Sequence, residues 1–173
     1  MTRTARPLLR GCLLLAWLLA PWAMADPSAA MIAVIAHGDF AQDALDSAEL
    51  AAIFRRTQII DQRGQPLVPV NLPGHDALRV AFSRTLFNLE PAEMEAYWNE
   101  RYFHGVTPPH VVASVEAMLR FVAATDGAVG YVPLCAVDER VKVVARLVAR
   151  SVAHHGLDCA APSLPKLQTE FAH

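Results

Sequence analysis

Polar and apolar positions along the chain fall into alternating short runs after an initial apolar block. Met31 to Ala36 (Met-Ile-Ala-Val-Ile-Ala) is a continuous apolar run of strand length, the pattern of a strand covered on both faces. Asp46 followed by Glu49 makes a capping box and predicts a helix through about Phe54, with Leu50, Ile53 and Phe54 on its apolar side. Asp61 to Gly64 reads as a turn between short strands around Gln58 to Ile60 and Leu67 to Val70. Leu78, Phe82 and Leu86 recur every four residues, the core stripe of an amphipathic helix that opens near Asp76. Pro91 suits the first turn of the next helix, on which Met94, Tyr97 and Trp98 share a face. His110 to Ala113 reads as a strand. Ser114 then caps a helix that turns Met118, Phe121 and Val122 inward and ends at Asp126-Gly127. Ala128 to Val132 is a further apolar strand. Val141 to Leu147 reads as a last one, although Lys142 and Arg146 also fit a helical spacing. Strands and helices in alternation predict an α/β domain, a mixed or largely parallel central sheet with helices on its faces.

The initial block changes the expected compartment. Arg3, Arg6 and Arg10 precede the apolar run Gly11 to Ala20, and Ala23-Met24-Ala25 supplies a small-x-small cleavage pattern. The uncharged stretch from Gly11 to Ala25 falls short of the ~18–20 residues a membrane span needs. The expectation is a signal peptide over residues 1–25, the general secretory route, cleavage after Ala25 and a periplasmic protein. Residues 26–150 then form one α/β domain of ordinary size, and residues 151–173, poor in periodicity, a C-terminal tail.

Composition narrows the classes. With 54% hydrophobic and 18% charged residues the chain is not a disordered or low-complexity protein. Without the three signal arginines, 12 basic residues face 17 acidic ones, and a net charge of −5 with no basic stripe excludes nucleic acid as a partner. Cys135 and Cys159 remain after cleavage. They are either a disulfide closing a loop of about 25 residues or two buried thiols.

Catalytic patterns are missing: there is no Gly-x-Ser-x-Gly elbow, no phosphate-binding loop of the nucleotide type and no dinucleotide fingerprint. The carboxylate pairs Asp43/Asp46 and Glu93/Glu95 read as helix starts. The protein is therefore read as a non-enzyme without a cofactor. His154, His155, Cys159 and His173 lack a metal-ligand frame and read as a solvated tail, so no metal site is expected.

One segment carries binding chemistry. Asn71-Leu-Pro-Gly-His-Asp-Ala-Leu-Arg79 joins a strand to a helix, and backbone N–H groups at a helix start suit an anion. Asn71, His75 and Arg79 could add side-chain donors, with Pro73 and Gly74 shaping the loop. Asp76 could instead cap the helix and occupy the same donors, leaving a helix start with no ligand as the equal alternative.

Several of these pieces occur together in a recognisable order. They are Ser47-Ala-Glu-Leu-Ala-Ala-Ile-Phe54, Leu67-Val-Pro-Val-Asn71-Leu-Pro73, Arg79-x-x-Phe82, Tyr97-Trp98, Phe103-His-Gly105, Pro108-Pro109 and Gly127-Ala-Val-Gly-Tyr-Val132. The ordered set resembles the substrate-binding proteins of ABC phosphate importers, in the type II periplasmic binding protein superfamily, and more closely a short form that keeps part of the full protein. The resemblance implies a single lobe of a two-lobed fold and a non-catalytic phosphate-transport role, binding phosphate or a similar oxyanion at Asn71, Gly74, His75, Asp76, Ala77 and Arg79. Where the family carries a Ser-Gly-Thr type loop, this chain reads Gly74-His75-Asp76-Ala77. The alternative is a ligand-free accessory module of the envelope, docking an envelope or transporter protein, or a second copy, through the face of the missing lobe.

Overall fold

The computed structural model describes residues 31–149. The signal segment 1–25, the tail 151–173 with its histidines, and Cys159 lie outside the described residues. The elements run β1 (Met31–Ala36), α1 (Ser47–Phe54), β2 (Val68–Asn71), α2 (Ala77–Phe87), α3 (Pro91–Phe103), β3 (His110–Val111), α4 (Val115–Ala124), β4 (Ala128–Pro133), a short 3-10 turn (Leu134–Ala136) and β5 (Lys142–Val148).

The five strands form one sheet in the order β3-β2-β4-β1-β5. β2 runs parallel to β3 and β4, whereas β1 runs antiparallel to β4 and β5, so the sheet is mixed. The apolar runs predicted as doubly covered strands occupy its centre: β4 is buried throughout and β1 from Ile32 onward. Successive residues of β4 face opposite sides of the sheet. A Cβ on Gly130 would collide with Met118 and Val122 of α4, while the next residue, Tyr131, stacks its ring on Phe82 of α2 at 3.9 Å. Helices therefore pack on both faces, α4 on one and α1 with α2 on the other. Phe54, Phe82 and Tyr131 form an aromatic cluster between α1, α2 and β4. Removing a ring from such a cluster costs about 3–5 kcal/mol.

Two sequence expectations shrink in the structure. Gln58 to Ile60 forms no strand, because Ile60 makes only an isolated bridge to Pro66, and Ile59 and Ile60 stay half-exposed. The strand expected from His110 to Ala113 is two residues long, the chain leaving the sheet edge to reach the Ser114 cap. The ambiguous segment near Val141 is a strand, paired along its length with β1. Gly127, with φ +71°, turns the chain from α4 into β4 so closely under Pro66 that any Cβ would overlap the Pro66 carbonyl oxygen. Its own carbonyl accepts from Val68 N at 2.9 Å, which sets the register of β2 on β4.

Candidate functional site

Asn71 is the last residue of β2, at the C-terminal ends of the parallel strands, where open α/β sheets carry their ligand crevices. Its backbone carbonyl accepts from Val112 N at 2.9 Å, closing the β3 side. Its side-chain oxygen sits between two donors, Arg79 Nη1 from α2 and the Tyr131 hydroxyl from β4 at 3.4 Å. The Tyr131 oxygen in turn accepts from Leu72 N at 3.1 Å. One strand end, one helix start and the middle of β4 are thus tied together around a single amide. The Asn71 amide nitrogen has no acceptor among the described residues.

Burial shapes the electrostatics of this triad. Tyr131 is fully buried, and that burial pushes its phenol up to about 12, against the opposing pull of the Arg79 charge. Arg79 is itself only 6% exposed. Among the described residues no carboxylate oxygen lies within the 4.0 Å of an ion pair with its guanidinium. A guanidinium is always charged and carries five N–H donors, and an uncompensated charge inside a fold costs several kcal/mol. Arg79 is held on the first turn of α2 by Asp76, whose carboxylate accepts from Leu78 N at 2.8 Å and from Arg79 N at 3.2 Å.

Arg79 and Asn71 line a cavity of about 150 Å³, together with Leu72, Gly74, Glu95, Trp98, Pro108 and Pro109. The helix α3 reaches it because Pro91 and the reciprocal Glu90/Glu93 box start the helix beside Gly74. Tyr97 then anchors α3 by donating to Arg55 O at 2.9 Å, which leaves the neighbouring Trp98 at the cavity wall.

Of the six residues expected from sequence, Asn71, Gly74 and Arg79 line the cavity. His75 is exposed in the loop, Ala77 begins α2, and Asp76 occupies two of the helix-start donors itself. Tyr131, Glu95 and Trp98 join the site without having been expected there. Trp98 and Tyr131 were visible as members of ordered motifs, but nothing in their spacing placed them opposite Arg79. Among the described residues no group of three or more His, Cys, Asp or Glu side chains could hold a metal ion. Cys135, in the turn after β4, is disulfide-bonded.

No protein-family model and no curated protein matches the sequence. Solved structures do match the fold. An ABC-type phosphate transport receptor from Vibrio cholerae aligns with a TM-score of 0.54 at 18% identity, over 67% of this chain and 46% of the receptor. A Clostridium perfringens protein of the phosphate-transporter substrate-binding kind, with bound phosphate, aligns at 0.55 and 18% identity over 67% and 45%. PstS from Borrelia burgdorferi aligns at 0.51 and 14% identity over 66% and 47%. The chain spans less than half the length of each of these proteins. The described domain has the fold of a single lobe of a periplasmic binding protein.

Proposed function

We propose that the protein is a non-catalytic binding protein, exported to the periplasm, that holds phosphate or a related oxyanion against Asn71, Gly74 and Arg79. One observation carries the reading: a buried guanidinium without a carboxylate partner lines an open cavity at the C-terminal ends of the parallel strands. An anion entering there would supply the missing countercharge, while the free Asn71 amide would add a donor. Asp76 and Ala77 act by fixing the start of α2, and His75 is exposed in the loop before it. The likeness to phosphate transport receptors, which are substrate-binding proteins and not enzymes, supports the same role by analogy.

The disulfide at Cys135 supports an oxidising compartment. The reading extends to a signal peptide cleaved after Ala25, a Cys135–Cys159 bond and a domain ending near residue 150. Calorimetric titration of the purified protein with phosphate, sulfate and acetate tests it. At a hundredfold excess over Kd, a bound anion stabilises the fold by about 2.7 kcal/mol. Heat and stabilisation that vanish in Arg79→Gln are expected; no heat and no stabilisation at millimolar anion would contradict the reading.

A further inference from the structure

Two side chains of opposite charge line the Arg79 cavity without meeting. Arg79 lies at its buried end, and Glu95, on the exposed face of α3, lines the same space. No ion pair joins them, and Glu95 has no hydrogen-bond or ionic partner among the described residues. Trp98, Pro108 and Pro109 line the same space and supply apolar and aromatic wall. The volume, about 150 Å³, lies below the ~300–1,000 Å³ of drug-sized ligand pockets, which suits a small occupant.

We propose that the cavity selects a small zwitterion, an α-amino acid the size of alanine or serine, over a free inorganic dianion. The inference rests on the reading of Arg79 as the anion-binding group and, among the oxyanions that reading allows, favours the carboxylate of a zwitterion over phosphate. The carboxylate of the ligand takes the Arg79 guanidinium, whose planar fork matches it with two parallel hydrogen bonds. Its ammonium takes the Glu95 carboxylate beside the Trp98 ring, an electron-rich face that also attracts cations. A phosphate dianion would gain the same Arg79 contact but carry a second negative charge into a cavity that Glu95 also lines. Like charges in one cavity penalise the wrong ligand more than they weaken the right one. Glu95 stays largely in water, so carrying it costs the empty protein little. Arg79 does not, and a ligand carboxylate is what offsets its burial.

The test is calorimetric titration of the purified protein with alanine, serine, sodium acetate and inorganic phosphate, on the native chain, Glu95→Gln and Arg79→Gln. The expected order on the native chain is alanine and serine first, with acetate and phosphate at least tenfold weaker. Glu95→Gln is expected to lower alanine affinity at least tenfold while leaving acetate unchanged or improved. Arg79→Gln is expected to abolish both. Phosphate or acetate binding as tightly as alanine, or alanine binding indifferent to Glu95→Gln, would overturn the zwitterion assignment and leave the oxyanion site standing. No binding of any of the four probes by heat or thermal shift would overturn both. Glu95 is exposed and outside the core, so its variant reports on binding even if Arg79→Gln fails to fold.

Discussion

At the start of β4 a cavity of about 280 Å³ gathers His37, Asp39, Asp61, Arg63 and Asp126, nearly twice the volume of the Arg79 cavity at the other end of the sheet. Its most buried charge, Asp61, is answered within the chain, while the exposed Asp39 carboxylate has no ionic partner among the described residues. Arg63 lies 3.6 Å from Asp61 and donates to the Asp39 carbonyl at 2.5 Å. Asp61 accepts from the amides of Arg63 and Gln65 at 2.8 Å each, and His37 lies 3.6 Å from Asp126. Burial alone would push the Asp61 carboxyl up, but those two amides and the Arg63 guanidinium outweigh it and hold the carboxyl below its ordinary value. At the smaller cavity the balance is reversed: fewer charged groups, and the most buried one has no countercharge. The proposed binding site is distinguished by a buried charge without an ion pair, not by its volume. The larger cavity is a polar turn closing the end of the sheet, and under the proposed reading the smaller one takes the ligand.

Substitutions at the two ends should therefore fail in different ways. Gly127→Ala, at the larger cavity, forces a Cβ into the Pro66 carbonyl at positive φ. Its expected cost is about 2–5 kcal/mol of stability in urea melts, with ligand affinity of the folded protein unchanged. A mild effect would show that the β2–β4 approach is loose.

Tyr131→Phe removes the hydroxyl that links Leu72 N to Asn71 and should cost about 1–2 kcal/mol near neutral pH. It also sets an alkaline signature. Because the folded phenol is pushed up to about 12 from 10.0, the unfolded chain ionises first. The contribution of neutral Tyr131 is whole below pH 10 and is lost as pH rises toward 12, roughly 2–3 kcal/mol in full. Melts across that window should fall more steeply for the native protein than for Tyr131→Phe.

Arg79→Met should cost at least tenfold in anion affinity, about 1.4 kcal/mol. Without ligand its stability should be equal to or above that of the native protein, because an uncompensated buried charge is exchanged for apolar packing. The smallest effect belongs to His37→Gln, whose partner Asp126 is almost fully exposed. Stability should move by less than about 0.5 kcal/mol and affinity not at all. A measurable loss of binding there would move the site to the larger cavity.

The sheet and its helices were legible because apolar periodicity reports burial directly: Met31 to Ala36 and Ala128 to Val132 sit at the centre of the sheet, as runs without polar interruption must. Ile59 and Ile60 misled for the complementary reason. Branched apolar residues favour strands, but the segment returning past them, Gln65 to Leu67, pairs through a single isolated bridge in a tight hairpin closed by the Asp61 turn. The site was legible by half. Asn71 and Arg79 stood out as polar residues flanking a Pro-Gly loop, whereas the 60 positions separating Asn71 from Tyr131 carry no local trace of their contact. Tyr131 hides inside an apolar run whose hydroxyl purpose appears only once β2 and β4 are adjacent. Glu95 looked like an ordinary solvated helix residue until α3 was placed over the cavity. Asp76 was readable in both directions, and in the structure its carboxylate is the cap.

The central claim is that Arg79 is a charge held for a ligand, not for the fold. Thermal unfolding of the native protein and Arg79→Met, each with no added anion and with alanine or phosphate at millimolar concentration, measures both sides of that claim. The variant should melt at or above the native temperature without ligand, and added ligand should raise only the native protein. A variant that melts lower by the same margin with and without ligand would make Arg79 a structural residue and contradict the account.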